Sequence, residues 1–361
     1  MKLQKISLDY IAKLAGVHKA TVSRALRNHP TIPRHTRERI HEIAKREGYR
    51  PNPLVSLYQS HTRSNRPPSM QATLAWVNDY PNQECWRQFP WLKGYFSGAR
   101  NRCEHRGYHL EELLLPSSNT ADHALEVNKL ANSIRSRGVF GVILPLLLHH
   151  QYLIEQWEGC AVALIGSSHF QNGHDSSHTQ FHPQGFSCAD RDLFYNLRLC
   201  FSKIRKLGYQ RIGLVYSRYL DTEAQGRVYG AYLFEQSHLP PENRVPSIFL
   251  DRFKEGRPAE FDQWMETYHP DAIICINPVV REWVASMGLR VPDDIGLANL
   301  NLVEDVPGWD GIFEQHEQIG AASVDLLIGQ LSRSELQIPR EPRKIFIPGI
   351  WVDGNTLRPM R

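Results

Sequence analysis

Apolar residues near the N-terminus recur at helical spacing. Leu8, Ile11, Ala12 and then Leu14 and Ala15 fall on one face of a first helix, which Ser7 can cap at its start and Gly16 at its end. A second short helix follows over Thr21 to Leu26. Val22, Ala25 and Leu26 face inward, Lys19, Ser23, Arg24 and Arg27 point elsewhere, and Asn28-His29-Pro30 stops it. From about Pro33 the run TRERIHEIAKREGY repeats the pattern through Ile40, Ile43 and Ala44, with Gly48 as its cap. Two short helices joined by a turn around Gly16-Val17 and braced by a third make a helix-turn-helix, whose second helix enters the DNA major groove.

The pattern then changes. Pro51 and Pro53 bar a helix before about Leu54 and Pro67-Pro68 close the stretch, which reads as a linker with room for one short helix. From Ala72 strand-like runs alternate with helical ones. TLAWV precedes a helix through LKGYFSGARNRCEHRGY, HLEELLL precedes one through HALEVNKLANSIRSRG, and VFGVILPLLL and CAVALIG follow as strands. After about Asp190 the theme restarts, with helices through LFYNLRLCFSKIRKLGY, GRVYGAYLFEQ, FDQWMETY and VVREWVASMG among strands RIGLVY, SIFL, DAIICI and IGLANL. Such alternation predicts an α/β body of mostly parallel sheets flanked by helices, in two similar lobes with a cleft between them. Small molecules bind such bodies at the carboxyl ends of the strands and between domains.

Composition narrows the partners. With 361 residues the chain has material for two or three units. No apolar run approaches the roughly 20 residues of a membrane span, and MKLQKISLDY lacks a signal-peptide apolar core, so the expected location is the cytoplasm. The net charge of +4 is unevenly spread: residues 1–66 hold 14 Lys/Arg against 4 Asp/Glu, an excess of ten, which leaves the remainder acidic by six. That asymmetry points to a polyanion for the N-terminal segment alone, and with the helix-turn-helix pattern it points to DNA. The six cysteines include no CxxC pair and read as buried free thiols; no metal site and no cofactor is spelled out. His169, His174, His178 and His182 lie in the polar run QNGHDSSHTQFHP, which reads as a solvated loop. GxSxG, GxxxxGK[ST] and HExxH motifs are absent, so no enzyme is expected and no catalytic residue is named.

The stretch SLDYIAKLAGVHKATVSRALRNHPTIPRHTRERIHEIAKREGYRPNP resembles, nearly position by position, the DNA-binding headpiece of the lactose repressor/galactose repressor (LacI/GalR) family of bacterial transcription regulators. RGYHL, RGVFGVILP, KLGYQRIGLV, GRVYGAY, HPDAIICIN, GLRVPDDIGLANLN and EQIGAASVDLLIGQL extend the likeness in order along the chain. The resemblance implies a helix-turn-helix domain over residues 1–52 and a hinge over 53–70. A bilobed, periplasmic-binding-protein-like effector and dimerisation body follows over 71–361, with two doubly wound parallel sheets. The implied function is a homodimeric, sequence-specific regulator, most simply a repressor, on a pseudo-palindromic operator. A small-molecule effector, a sugar or another metabolite, controls it from the cleft. The rival reading is a small-molecule receptor without gene regulation.

By motif position Lys19, Ala20 and Arg24 read bases, Arg24 by two hydrogen bonds to a guanine. Thr21 and Ser23 set the helix on the DNA backbone. The resemblance also assigns Ser7, His18, Asn28, Tyr49 and Asn52 to the DNA surface, with His18 standing where the family has a serine cap. The hinge residue that enters the minor groove in the family falls at Leu57 or Tyr58; alternatively these two pack the paired hinges together. For the effector, Arg227 occupies the place of the ligand-clamping arginine. Asn277 keeps the amide of an Asn-Asp pair, and Asn301 replaces an aspartate. Phe89 and Trp91 sit near an aromatic position, and Gln315 completes the set.

Overall fold

The computed structural model describes residues 8–26, 31–47, 72–78, 86–115, 123–145, 157–166, 186–250, 256–303, 308–336, 339 and 341–359. At the N-terminus α1 (Leu8–Ala15), α2 (Lys19–Leu26) and α3 (Arg34–Arg46) close around Ile11, Ala12, Ala15, Val22, Ala25, Ile32 and Ile40. Gly16 ends α1 at φ +61, a left-handed conformation that a Cβ disfavours. Helix α2 begins two residues before the expected Thr21 because His18 caps it. The Ala20 N–H donates to His18 Nδ1 at 3.2 Å, while the His18 carbonyl accepts from Thr21 and Val22. Helix α3 clamps the other two from outside. Arg39 Nη2 donates to the Ala15 carbonyl at 2.9 Å, and His41 Nε2 lies 3.1 Å from the Ala25 carbonyl. Both are carbonyls in the final turns of α1 and α2, which the helix itself leaves without a partner. The expected caps Ser7 and Gly48, and the linker, lie outside the described residues.

The body holds two six-stranded sheets. Sheet one runs β11-β5-β4-β3-β1-β2, from β1 (Ala72–Asn78), β2 (Tyr108–Leu114), β3 (Gly141–Leu144), β4 (Ala161–Ile165), β5 (Ser187–Arg191) and β11 (Lys344–Ile347). Sheet two runs β12-β10-β9-β8-β6-β7, from β6 (Ile212–Ser217), β7 (Ile248–Leu250), β8 (Ala272–Cys275), β9 (Gly296–Leu302), β10 (Gly311–Phe313) and β12 (Ile350–Val352). Strand pairs are parallel except β10 with β12. The orders 2-1-3-4-5 and 7-6-8-9-10 are one doubly wound topology used twice, and each reverses direction beside its first strand.

Helices cover both faces of each sheet. Around sheet one lie α4 (Pro90–Arg106) and α5 (His123–Ser136); around sheet two lie α6 (Leu193–Lys206), a short α7 (Arg218–Glu223), α8 (Arg227–Ser237), α9 (Ala259–Tyr268) and α10 (Val279–Ser286). Each sheet has an apolar core on either face, so each lobe buries its own interior. The long α11 (His316–Arg333) follows β10 yet packs on α4 and sheet one, and β11 joins sheet one as well. The lobes are therefore not two consecutive halves, as the restart after Asp190 had suggested. The chain crosses between them three times: after Arg191, at Glu314–Gln315, and at Pro348–Gly349.

Helices α4 and α11 cross at backbone contact. A Cβ on Gly98 would lie 1.9 Å from the Glu317 carbonyl oxygen, and one on Gly320 would lie 2.0 Å from that of Tyr95. Only glycine lets the two backbones approach this closely. Periodicity missed the strands β5, β10, β11 and β12, each of three to five residues, and the helices α7 and α11.

Candidate DNA-reading helix and interlobe cleft

Val22 and Ala25 of α2 are fully buried, which turns Lys19, Ala20 and Arg24 outward. Arg24 is exposed and makes no hydrogen bond or ion pair among the described residues, leaving its guanidinium fork for a partner. Thr21 is half-buried between these faces. No acidic side chain stands in the first turn of α2. His18, Lys13 and Lys19 rim a groove of about 490 Å³ where α1 meets α2. The positive end of a helix and three basic side chains thus share one face, an arrangement suited to phosphate. Ser7, Asn28, Tyr49, Asn52, Leu57 and Tyr58 lie outside the described residues, as does the side chain of Ser23.

The expected effector residues all stand near the carboxyl ends of strands. Phe89 and Trp91 open α4 with ring centroids 5.7 Å apart; Phe89 is exposed, and Trp91 leans on Tyr95 at 5.9 Å. On adjacent strands Cys275 pairs with Asn299; Asn277 follows two residues beyond the end of β8, and Asn301 lies one residue before the end of β9. Asn277 Oδ1 accepts the Val279 N–H, whereas Asn301 Oδ1 is buried with no hydrogen-bond partner among the described residues. Gln315 sits on the second crossover at φ +48 and donates to the Pro348 carbonyl of the third.

Arg227 is the most heavily held of the set. Its Nη2 donates to Asp190 Oδ2 at 2.6 Å, Nε to the Ala224 carbonyl at 2.8 Å and Nη1 to the Arg191 carbonyl at 3.2 Å, and its guanidinium stacks 5.0 Å from the Phe346 ring. Asp190 is fully buried at the end of β5, while Arg227 opens α8, so this ion pair joins the lobes. As found here, the guanidinium ties lobe to lobe.

Beside it lies a second polar cluster. Arg191 Nη1 stands 3.6 Å from Glu314 Oε2, and His316 Nε2 stands 3.4 Å from the same oxygen. Burial works against the Arg191 charge, but Glu314, Tyr95, Asp190 and Tyr216 more than offset it and hold the guanidinium firmly protonated. Burial likewise pushes the Tyr95 and Tyr216 phenols up, so both stay neutral. Tyr95 meets the His316 ring edge-on at 5.3 Å. The cluster is two guanidiniums facing two carboxylates, closed by aromatic rings from both lobes.

Residues 7–52 match the family described as bacterial regulatory proteins, lacI family. The HTH-type transcriptional regulator PtxS of Pseudomonas putida is 28% identical over 343 residues, covering 91% of this chain and 90% of its own length. Residues 7–52 are thus a lacI-family DNA-binding domain, and the rest of the chain is similar to regulators that carry one. The HTH-type transcriptional regulator MalR of Clostridium butyricum is 38% identical over 60 residues, which span 17% of this chain and 18% of MalR. Among solved structures, the lac repressor dimer bound to operator and the anti-inducer ONPF matches at TM-score 0.55 and 17% identity. The match covers 98% of this chain and 100% of that one. A complex of the regulator CelR with cellobiose matches at 0.54 and 18% over the same shares. At such identities the likeness speaks for the fold.

The lacI-family match over residues 7–52 and the exposed basic helix agree: this chain is a DNA-binding transcriptional regulator. Asp190, Arg191, Glu314, His316, Tyr95, Tyr216 and Phe346 went unnoticed in the sequence. Their one local signal was the charged run Asp190-Arg191-Asp192 between a strand and a helix; the remainder come together only through the crossovers. Among the described residues no group of three or more His, Cys, Asp or Glu is placed to hold a metal ion, and the histidine run 169–182 lies outside them.

Proposed function

We propose that this regulator is a cytoplasmic repressor that binds a pseudo-palindromic operator as a homodimer. Residues 1–52 bind DNA, 53–70 form the hinge, and 71–361 form the effector-binding and dimerisation body. The observation that carries this is the outward face of α2: Lys19, Ala20 and Arg24 exposed opposite buried Val22 and Ala25. Arg24 reads a guanine through its fork, Ala20 touches a thymine methyl and Lys19 takes a base edge or phosphate. Thr21, Ser23, Ser7, His18, Asn28, Tyr49 and Asn52 fix the register on the backbone, and Leu57 or Tyr58 supplies the minor-groove contact.

The body takes a small-molecule effector between its lobes, lined by Phe89, Trp91, Asn277, Asn301, Gln315 and Arg227. A sugar is the first class to test, because the CelR neighbour was solved with cellobiose. The ligand acts through its different affinity for two lobe arrangements. Selection of bound duplexes from a random pool at fixed salt tests the reading. A palindromic consensus is expected, with affinity falling steeply as salt rises; equal affinity for scrambled duplexes would refute it.

A further inference from the structure

We propose that Arg191 and Glu314 form a latch across the interlobe hinge, holding the lobes at the angle seen here until a ligand opens them. The latch itself stands on geometry, while its consequence at DNA rests on the cleft-controlled regulator proposed above. Arg191 ends β5 at the first crossover, and Glu314 is the first residue of the second, so their contact ties two of the three segments about which the lobes turn. The Asp190–Arg227 pair fastens the first segment to α8, and Phe346 of β11, next to the third, covers Arg227.

The contact is poised rather than tight. Glu314 is 2% exposed, yet its Oε2 accepts no hydrogen bond among the described residues; Arg191 and His316 approach it only to 3.6 and 3.4 Å. His316 Nε2 is also buried without a hydrogen bond among the described residues. Without a hydrogen bond the attraction repays the lost hydration only in part, but parting the lobes would leave the buried Glu314 carboxylate without its half-buried Arg191 partner, so the contact favours the arrangement seen here by a modest margin. Such a pair holds one arrangement, and a modest differential affinity of a ligand releases it.

The test is amide hydrogen exchange on the full chain without added metabolite, using Arg191→Met, Glu314→Gln and the double variant. A single change leaves one buried charge alone and can prevent folding; the double variant is neutral and of similar volume, so it carries the decision. A latch predicts that amides at residues 190–193, 314–317 and 347–350 exchange about tenfold faster, with β3, β4 and β8 unchanged. Duplex affinity should shift by about threefold or more. Crossover exchange within about twofold of wild type would overturn the proposal, as would equal acceleration in both lobe cores. Loosened crossovers with unaltered duplex affinity would uphold the latch and overturn its consequence at DNA, and with it the cleft-controlled reading. Because no metabolite is present, failure to find an effector counts against the cleft reading alone.

Discussion

Replacing Gly98 with alanine tests whether the hinge is set by backbone contact between α4 and α11. The added methyl would lie 1.9 Å from the Glu317 carbonyl oxygen, in the first turn after the second crossover. Ordinary van der Waals contact begins near 3.4 Å, so the helices must part by about 1.5 Å. Overpacking of this kind costs about 1–3 kcal/mol, and the upper end applies because the obstacle is backbone, which cannot rotate away. At roughly 2–4 °C per kcal/mol for a domain of this size, the melting transition should fall by about 6–12 °C. Differential scanning calorimetry reads it directly. Gly230 is the control: it lies inside α8 with nothing within 4 Å of an added Cβ. Alanine there should raise stability by about 0.5–1 kcal/mol through helix propensity. A Gly98→Ala melting point within about 2 °C of wild type, or a loss at Gly230→Ala as large as at Gly98→Ala, would refute the reasoning.

Removing the imidazole cap with His18→Ala should cost α2 about 1 kcal/mol and weaken duplex binding roughly fivefold, whereas His18→Ser should restore it; equal binding by all three would show the cap is idle. Burial raises the Cys160 and Cys188 thiols to about 11 and Cys103 to about 12. With folded values raised, their contribution to stability is complete below the unfolded thiol value and is lost as pH climbs from about 9 towards 11 and 12. Native protein should therefore expose at most one of its six thiols to an aromatic disulfide reagent at neutral pH, since five are buried; reaction of two or more would contradict the packing. An alkaline unfolding midpoint below about 9 would count against the thiol burial as its cause.

The headpiece was readable because its signals are local. Apolar spacing marks Ile11, Val22, Ala25 and Ile40, and Gly16 marks the turn; all five play the expected part. Most helices and strands of the body were readable on the same grounds, though α7 and the long α11 were not. What stayed hidden depends on residues far apart in sequence. Glu314 and Arg191 lie on different crossovers, and nothing in the pattern around either names the other. Gly98 and Gly320 look like ordinary helix weaknesses until α4 and α11 are brought together. Arg227 stands at a contact between the lobes, and its tie to Asp190 was not foreseen, because Asp190 lies on β5, a short strand that the pattern does not mark.

The most direct measurement of the central claim is base-resolved binding by Arg24→Ala. Affinities of wild type and variant are compared on the selected duplex and on its single-base substitutions, at one salt concentration. If α2 reads bases through Arg24, the variant loses about 1–3 kcal/mol at one base pair in each half-site and no longer discriminates there. A uniform loss over all duplexes, with discrimination intact at every position, would contradict it.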